Sequence, residues 1–123
     1  MPAVAMTADL AGVALPKYFD YAAQAKVSAT KGALGGIRSG IANYYANTAI
    51  SGTAAYPTLV QLTTIGTVMQ ETLPANPYNN SSTVAAATWN ATTPPVSGAA
   101  GWNYDVAAGK FWANTNNVGE NAF

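Results

Sequence analysis

From Lys17 to Tyr45 the apolar positions Ala23, Val27, Leu34, Ile37, Ile41 and Tyr44 or Tyr45 recur three, four or seven residues apart. That is the period of a helix with one face on a core. It predicts an amphipathic helix over about residues 9–47, of which residues 17–47 would span about 45 Å. Pro16 suits a first helical position or a kink, so a short apolar turn over Asp9–Leu15 is expected to lead in. Ser, Gly and Pro collect in "ISGTAAYP" and should end the helix near Asn47.

The period then changes. Leu59, Val60, Leu62, Ile65, Val68 and Met69 suit a short helix and a packed loop, stopped by Pro74 and Pro77. Residues 82–90, "STVAAATWN", read as a strand, and "TTPPVSGAAG" as a turn region without periodicity. In "GWNYDVAAGKFWANT", Trp102 and Tyr104 alternate with Asn103 and Asp105, "DVAAG" supplies a turn with Gly109 at a left-handed position, and "KFWAN" returns. This is a hairpin, its aromatic residues serving as core and cross-strand pairs. The Asn-rich tail, 115–123, reads as an edge segment or loop. The order gives one α+β domain over residues 1–123, a long amphipathic helix packed on a small antiparallel sheet at about 82–114 with its hairpin at 101–114.

Within the helix Ala25, Ala29, Gly32, Gly36 and Gly40 form a stripe with almost no side chain. A glycine in a helix interior costs roughly 1 kcal/mol against alanine, so the three together cost about 3 kcal/mol. Small residues four apart let a second backbone approach closely. Two occupants fit, the chain's own sheet or a partner helix from another chain.

Composition narrows the function classes. The 123 residues hold five cations and five carboxylates, a net charge of zero, with no Lys/Arg cluster, so nothing favours nucleic acid or anionic lipid. No apolar run reaches the roughly 20 residues of a membrane span. Histidine and cysteine are absent, which removes disulfides, thiolate chemistry and nearly every transition-metal site. Asp9, Asp20, Glu71, Asp105 and Glu120 are scattered rather than paired, so no catalytic group is expected and no cofactor either. Sequons stand at Asn79, Asn80 and Asn90, in segments expected to be exposed.

Taken in order, "PKYFD" (16–20), the helix "AQAKVSATKGALGGIRSGIANYYANT", "YPTLVQL" (56–62), "LPANPYN" (73–79) and the hairpin "GWNYDVAAGKFWAN" (101–114) resemble the type IV pilin and type II secretion pseudopilin family. The resemblance covers the chain from about Leu15. It implies a pilin-like fold and a structural subunit of an extracellular or periplasmic filament at the bacterial surface, assembling with homologous subunits through pilus or secretion machinery. The family's N-terminal apolar half-helix and its early Glu have no counterpart here. "MPAVAMTADLAGVAL", with Asp9 in it, has a sequence of its own and is not a trimmed core helix, which favours the split form, in which the chain is similar to the separate globular subunit of a two-chain pilin. The missing helix is then expected from a separate short helical pilin subunit, docked on Ala25, Ala29, Gly32, Gly36 and Gly40 and on the apolar N-terminal turn. The in-family alternative is a major pseudopilin. Secretion pseudopilins often carry calcium near the C-terminus; the matching tail offers Asn114, Asn116, Asn117 and Glu120, a set with one carboxylate, and no metal is expected. Outside the family, Trp89, Trp102, Tyr104 and Trp112 could form the stacking surface of a carbohydrate-binding module, which requires exposed, coplanar rings.

Overall fold

The computed structural model describes the backbone of residues 2–123 and the side chains of residues 20–123. Helix α1 spans Pro2–Ser51, so it is longer at both ends than the pattern predicts and takes in Asp9–Leu15 and Pro16. The apolar side chains expected to dock from that first stretch lie outside the described residues. At the far end the helix runs past Asn47, and the Thr48 hydroxyl accepts the Ala55 N–H at 2.9 Å, tying down the departing chain. Helix α2, Leu59–Thr63, is fixed by a capping box between Thr58 and Gln61. The Tyr44 hydroxyl donates to Gln61 Oε1 at 3.0 Å and joins the two helices. Leu62 is buried, whereas Val60 and Ile65 point to solvent.

Three short strands, β1 (Val84–Ala86), β2 (Trp102–Asp105) and β3 (Lys110–Ala113), form one sheet in that order. The expected antiparallel sheet is corrected to a mixed one, because β1 pairs with β2 in parallel, Val84 opposite Trp102, and only β2 and β3 run antiparallel. A parallel neighbour needs a long crossover, and residues 87–101 supply it as irregular chain lying across the sheet. The strand expected at 82–90 shrinks to three residues for the same reason, since the chain turns into that crossover after Ala86. The β2–β3 turn ends at Gly109, whose φ of +66° and whose closeness to the Tyr56 ring both exclude a side chain.

Residues opposite one another across the hairpin share a face, so Trp102, Tyr104, Phe111 and Ala113 point one way and Asn103 and Trp112 the other. The first set packs against Leu34, Ile37 and Ile41 of α1 and Leu62 of α2 to form the core. Polar tips in it are satisfied, Tyr104 donating to Pro57 O at 2.7 Å and Trp102 Nε1 to Pro74 O at 2.8 Å. The second face is covered by the crossover. Trp112 Nε1 and Asn103 Nδ2 both donate to Pro95 O, and buried Asn114 accepts from Ser97 N and Asn103 Nδ2. The tail runs as loop over residues 115–119 and then folds in as a single 3-10 turn, Glu120–Ala122, with Glu120 and Asn121 buried.

Candidate assembly surface

Along α1 burial changes abruptly. Residues 20–26 are all exposed; from Val27 onward one side is covered, with Thr30, Leu34, Ile37 and Ile41 buried at intervals of four, three and four. The predicted stripe lies mostly away from that side. Ala25, Ala29, Gly32 and Gly36 are exposed together, and a Cβ built on Gly32 or Gly36 would meet nothing within 4 Å. Gly40 is different: its Cβ would stand 2.7 Å from Met69 Sδ and 3.3 Å from a Val68 methyl, so there the missing side chain admits the chain's own loop.

Where α1 leaves the body, a groove of about 700 Å³ runs between Ala22, Val27 and Ser28 on the helix and Tyr78 and Val118 on the loops. Close by, the Tyr78 hydroxyl and Glu120 Oε2 are buried without hydrogen-bond partners. Burial pushes the Glu120 pKa up, but N–H donors from Asn117 and Val118 and the Thr115 hydroxyl outweigh it and hold the carboxyl below its ordinary value. Glu120 Oε1 accepts the Val118 N–H at 2.7 Å. Burial first, and the nearby Glu120 charge second, push the Tyr78 phenol up.

The cations of the body meet rings and carbonyls. Arg38 Nε donates to Phe111 O at 3.0 Å and Nη2 to Phe123 O at 2.8 Å, which also blocks part of the free edge of β3. Lys31 Nζ lies 4.9 Å from the Phe123 ring centre and Lys110 Nζ 5.9 Å from that of Trp89. Arg38 and Lys110 share a second groove, about 470 Å³, walled by Trp89, Phe111 and Phe123. The sequence reading passed over these charges; in a chain with so few, their position relative to α1 was the available signal.

The other candidates separate. Asn114 is buried against residues 97–103, Asn116 Oδ1 accepts the Gly119 N–H, and Asn117 is exposed, so they do not converge with Glu120 on one point. Among the described residues no three His, Cys, Asp or Glu side chains come together. Trp102, Tyr104 and Trp112 are each 0% exposed, so they offer no stacking surface; Trp89 alone is half-buried, edge-on to Trp112. Asn80 and Asn90 are exposed as expected, but Asn79 is half-buried and donates to Ala100 O at 3.0 Å. Asp105 accepts the N–H groups of Trp89 and Ala108, and Asp20 is exposed on the helix.

The class defined by these observations is an α+β domain, one long helix on a small three-stranded mixed sheet, with residues 20–26 and one face of the helix beyond them uncovered. No helix of the described residues is long and apolar enough to cross a membrane. Comparison with protein families, curated proteins and solved structures finds no significant match.

Proposed function

We propose that this chain is a structural subunit of a type IV pilus-like filament, periplasmic or extracellular, that acts by assembly rather than by catalysis. Its partner in that reading is a short, hydrophobic helical subunit that forms the filament core, with further copies of the chain around it. The observation that carries the reading is the uncovered track on α1. Gly32 and Gly36 have open space where their side chains would be, continuous with exposed Ala25 and Ala29 and with the uncovered stretch 20–26. Two helix glycines that weaken α1 by about 1 kcal/mol each, with no close contact inside the chain, are accounted for by a second backbone on that track. The pseudopilus reading of the same fold uses the same surface.

The test is purification of the native protein with mass spectrometry of every co-purifying chain below about 10 kDa, a size at which the roughly 20-residue span of a core helix would be the main element. A short apolar chain in equal amount, within filaments visible by electron microscopy and lost on Gly36→Leu, is the expected result. Recovery of the chain as a lone monomer, with no filament in its source, would refute the reading.

A further inference from the structure

We propose that Met69 is a modification site, a thioether latch that holds residues 64–70 against α1 and releases them when a peroxide oxidises it to the sulfoxide. The inference goes beyond the filament reading and does not depend on it.

From residue 63 to residue 72 the chain is exposed except at Val68 and Met69. Two hydrogen bonds shape this stretch from within, the Gly66 N–H donating to Met69 O at 2.7 Å and the Thr67 N–H to Thr64 O at 3.3 Å. Its hold on the helix is apolar. Val68 and Met69 pack against the core cluster and approach α1 at Gly40, where an added Cβ would stand 2.7 Å from Met69 Sδ and 3.3 Å from a Val68 methyl. The sulfur thus takes the place that a side chain at position 40 would fill, at a point where α1 carries a helix-weakening glycine.

The chain has no cysteine and no histidine, and Trp102 and Trp112 are fully buried. Among the described residues the half-buried Met69 thioether is therefore the side chain most open to two-electron oxidation. With hydrogen peroxide the O–O bond breaks, one oxygen bonds to Sδ, and the sulfur gives up two electrons. The other oxygen leaves with both protons as water.

The product is a hydrogen-bond acceptor in a place without donors. Around Gly40 the N–H groups of α1 are bonded within the helix, and the other neighbours of the sulfur are apolar. An oxygen left there loses its hydration and gains no partner, whereas swinging Met69 outward restores the hydration and breaks apolar contacts alone. The balance favours release. Because residues 64–67 are already exposed, the opening is local. It uncovers Gly40, one helical turn beyond Gly36, and so lengthens the open row on α1. Methionine sulfoxide reductases regenerate the thioether, which makes the latch reversible.

Hydrogen exchange of the whole native chain, read by mass spectrometry before and after hydrogen peroxide, tests this. The expected result is one added oxygen on the peptide that holds Met69, with exchange over residues 64–70 faster by about tenfold or more. The amides of Leu34–Ile41 should keep their protection, and methionine sulfoxide reductase should restore the original rates. Met69→Leu keeps the apolar contact but has no sulfur, so its segment should stay closed in peroxide even as Met1 and Met6 take up oxygen. Met69→Gln, polar from the start, should be open without peroxide. A Met69 that stays reduced in the folded chain, at a dose that oxidises it in urea, would overturn the modification site. Oxidation that leaves exchange over 64–70 unchanged would overturn the latch, and so would equal opening of Met69→Leu in peroxide.

Discussion

The two faces of the sheet are buried by different physics. Toward α1, Trp102, Tyr104, Phe111 and Ala113 meet Leu34, Ile37, Ile41 and Leu62 in an apolar layer whose few polar tips donate to loop carbonyls. On the other side a loop without regular structure is held by side-chain amides and one indole, with Asn103, Asn114 and Trp112 donating to Pro95, Ser97 and Ala100 and the Ser97 N–H returned to Asn114. Apolar contact is non-directional and suits helix on sheet. A crossover with no ladder of its own needs directed bonds to stay down. The largest effect should therefore come from the apolar face: Phe111→Ala is expected to cost about 3–5 kcal/mol in urea unfolding and to lower the whole transition.

Asn114→Ala sharpens the contrast. It strips a partner each from the Ser97 N–H, Ala100 O and Asn103 Nδ2, but Ala100 O keeps the Asn79 amide, Asn103 Nδ2 keeps Pro95 O, and Ser97 is exposed. The cost should be about 2–3 kcal/mol. Hydrogen exchange should quicken over residues 89–101 while the amides around Leu34–Ile41 keep their protection. Equal loosening of α1 would show that the amide layer is not a separate unit, and the distinction would fall.

A smaller effect tests the outer side of α1 in the same terms. Gly36→Ala adds a methyl into open space and removes a helix-weakening glycine, so the isolated protein should gain about 1 kcal/mol. Gly40→Ala has the same intrinsic gain but drives Cβ against Met69 and Val68, so its net change should be near zero or unfavourable. Finding the two variants equally stabilised in thermal melts would mean that the Val68–Met69 loop does not bear on the helix.

What was legible in the sequence follows from range. Leu34, Ile37 and Ile41, and the alternation of Trp102 and Tyr104 around a turn ending in Gly109, are local periodicities imposed by one buried face, and the structure has them in place. The parallel pairing of β1 was not legible, because "VAA" carries no sign of direction and the pairing depends on where residues 87–101 run. Asn103 and Asn114 look like solvent positions in an alternating strand; they are buried because a distant loop covers them. Glu120 misleads likewise, a charged residue in a polar tail held inside by neighbouring N–H donors that only the folded turn brings together. The stripe was legible as a row of small residues, but not that Gly40 serves the chain's own loop while Gly32 and Gly36 stay open. That separation depends on the course of residues 64–70.

The faces should also come apart with pH, in opposite directions. Asp105 belongs to the loop-covered face, where the Trp89 N–H donates to it at 2.9 Å, and that bond, with others from Ala108 and Ala107, holds its pKa below the ordinary value. A carboxyl depressed on folding contributes stability that is present above its unfolded pKa and is lost as pH falls through the folded one. Glu120, also depressed, acts with the same sign at the tail. On the apolar face Tyr104 is pushed up to about 12, first by burial and then by Tyr56, Asp105 and Tyr44. A phenol raised on folding contributes stability that is present below its unfolded value near 10 and is lost as pH climbs toward 12. Acid should thus loosen the crossover before the core, visible as early exchange at Trp89 and its neighbours, and Asp105→Asn should flatten that limb. Alkali should act on the core itself, and Tyr104→Phe should reduce the decline above about pH 10, the ordinary value for tyrosine, to the share that the raised Tyr78 phenol contributes. Crossover and core loosening together at both extremes, in the wild type, would mean that the faces unfold as one body despite being held by different forces.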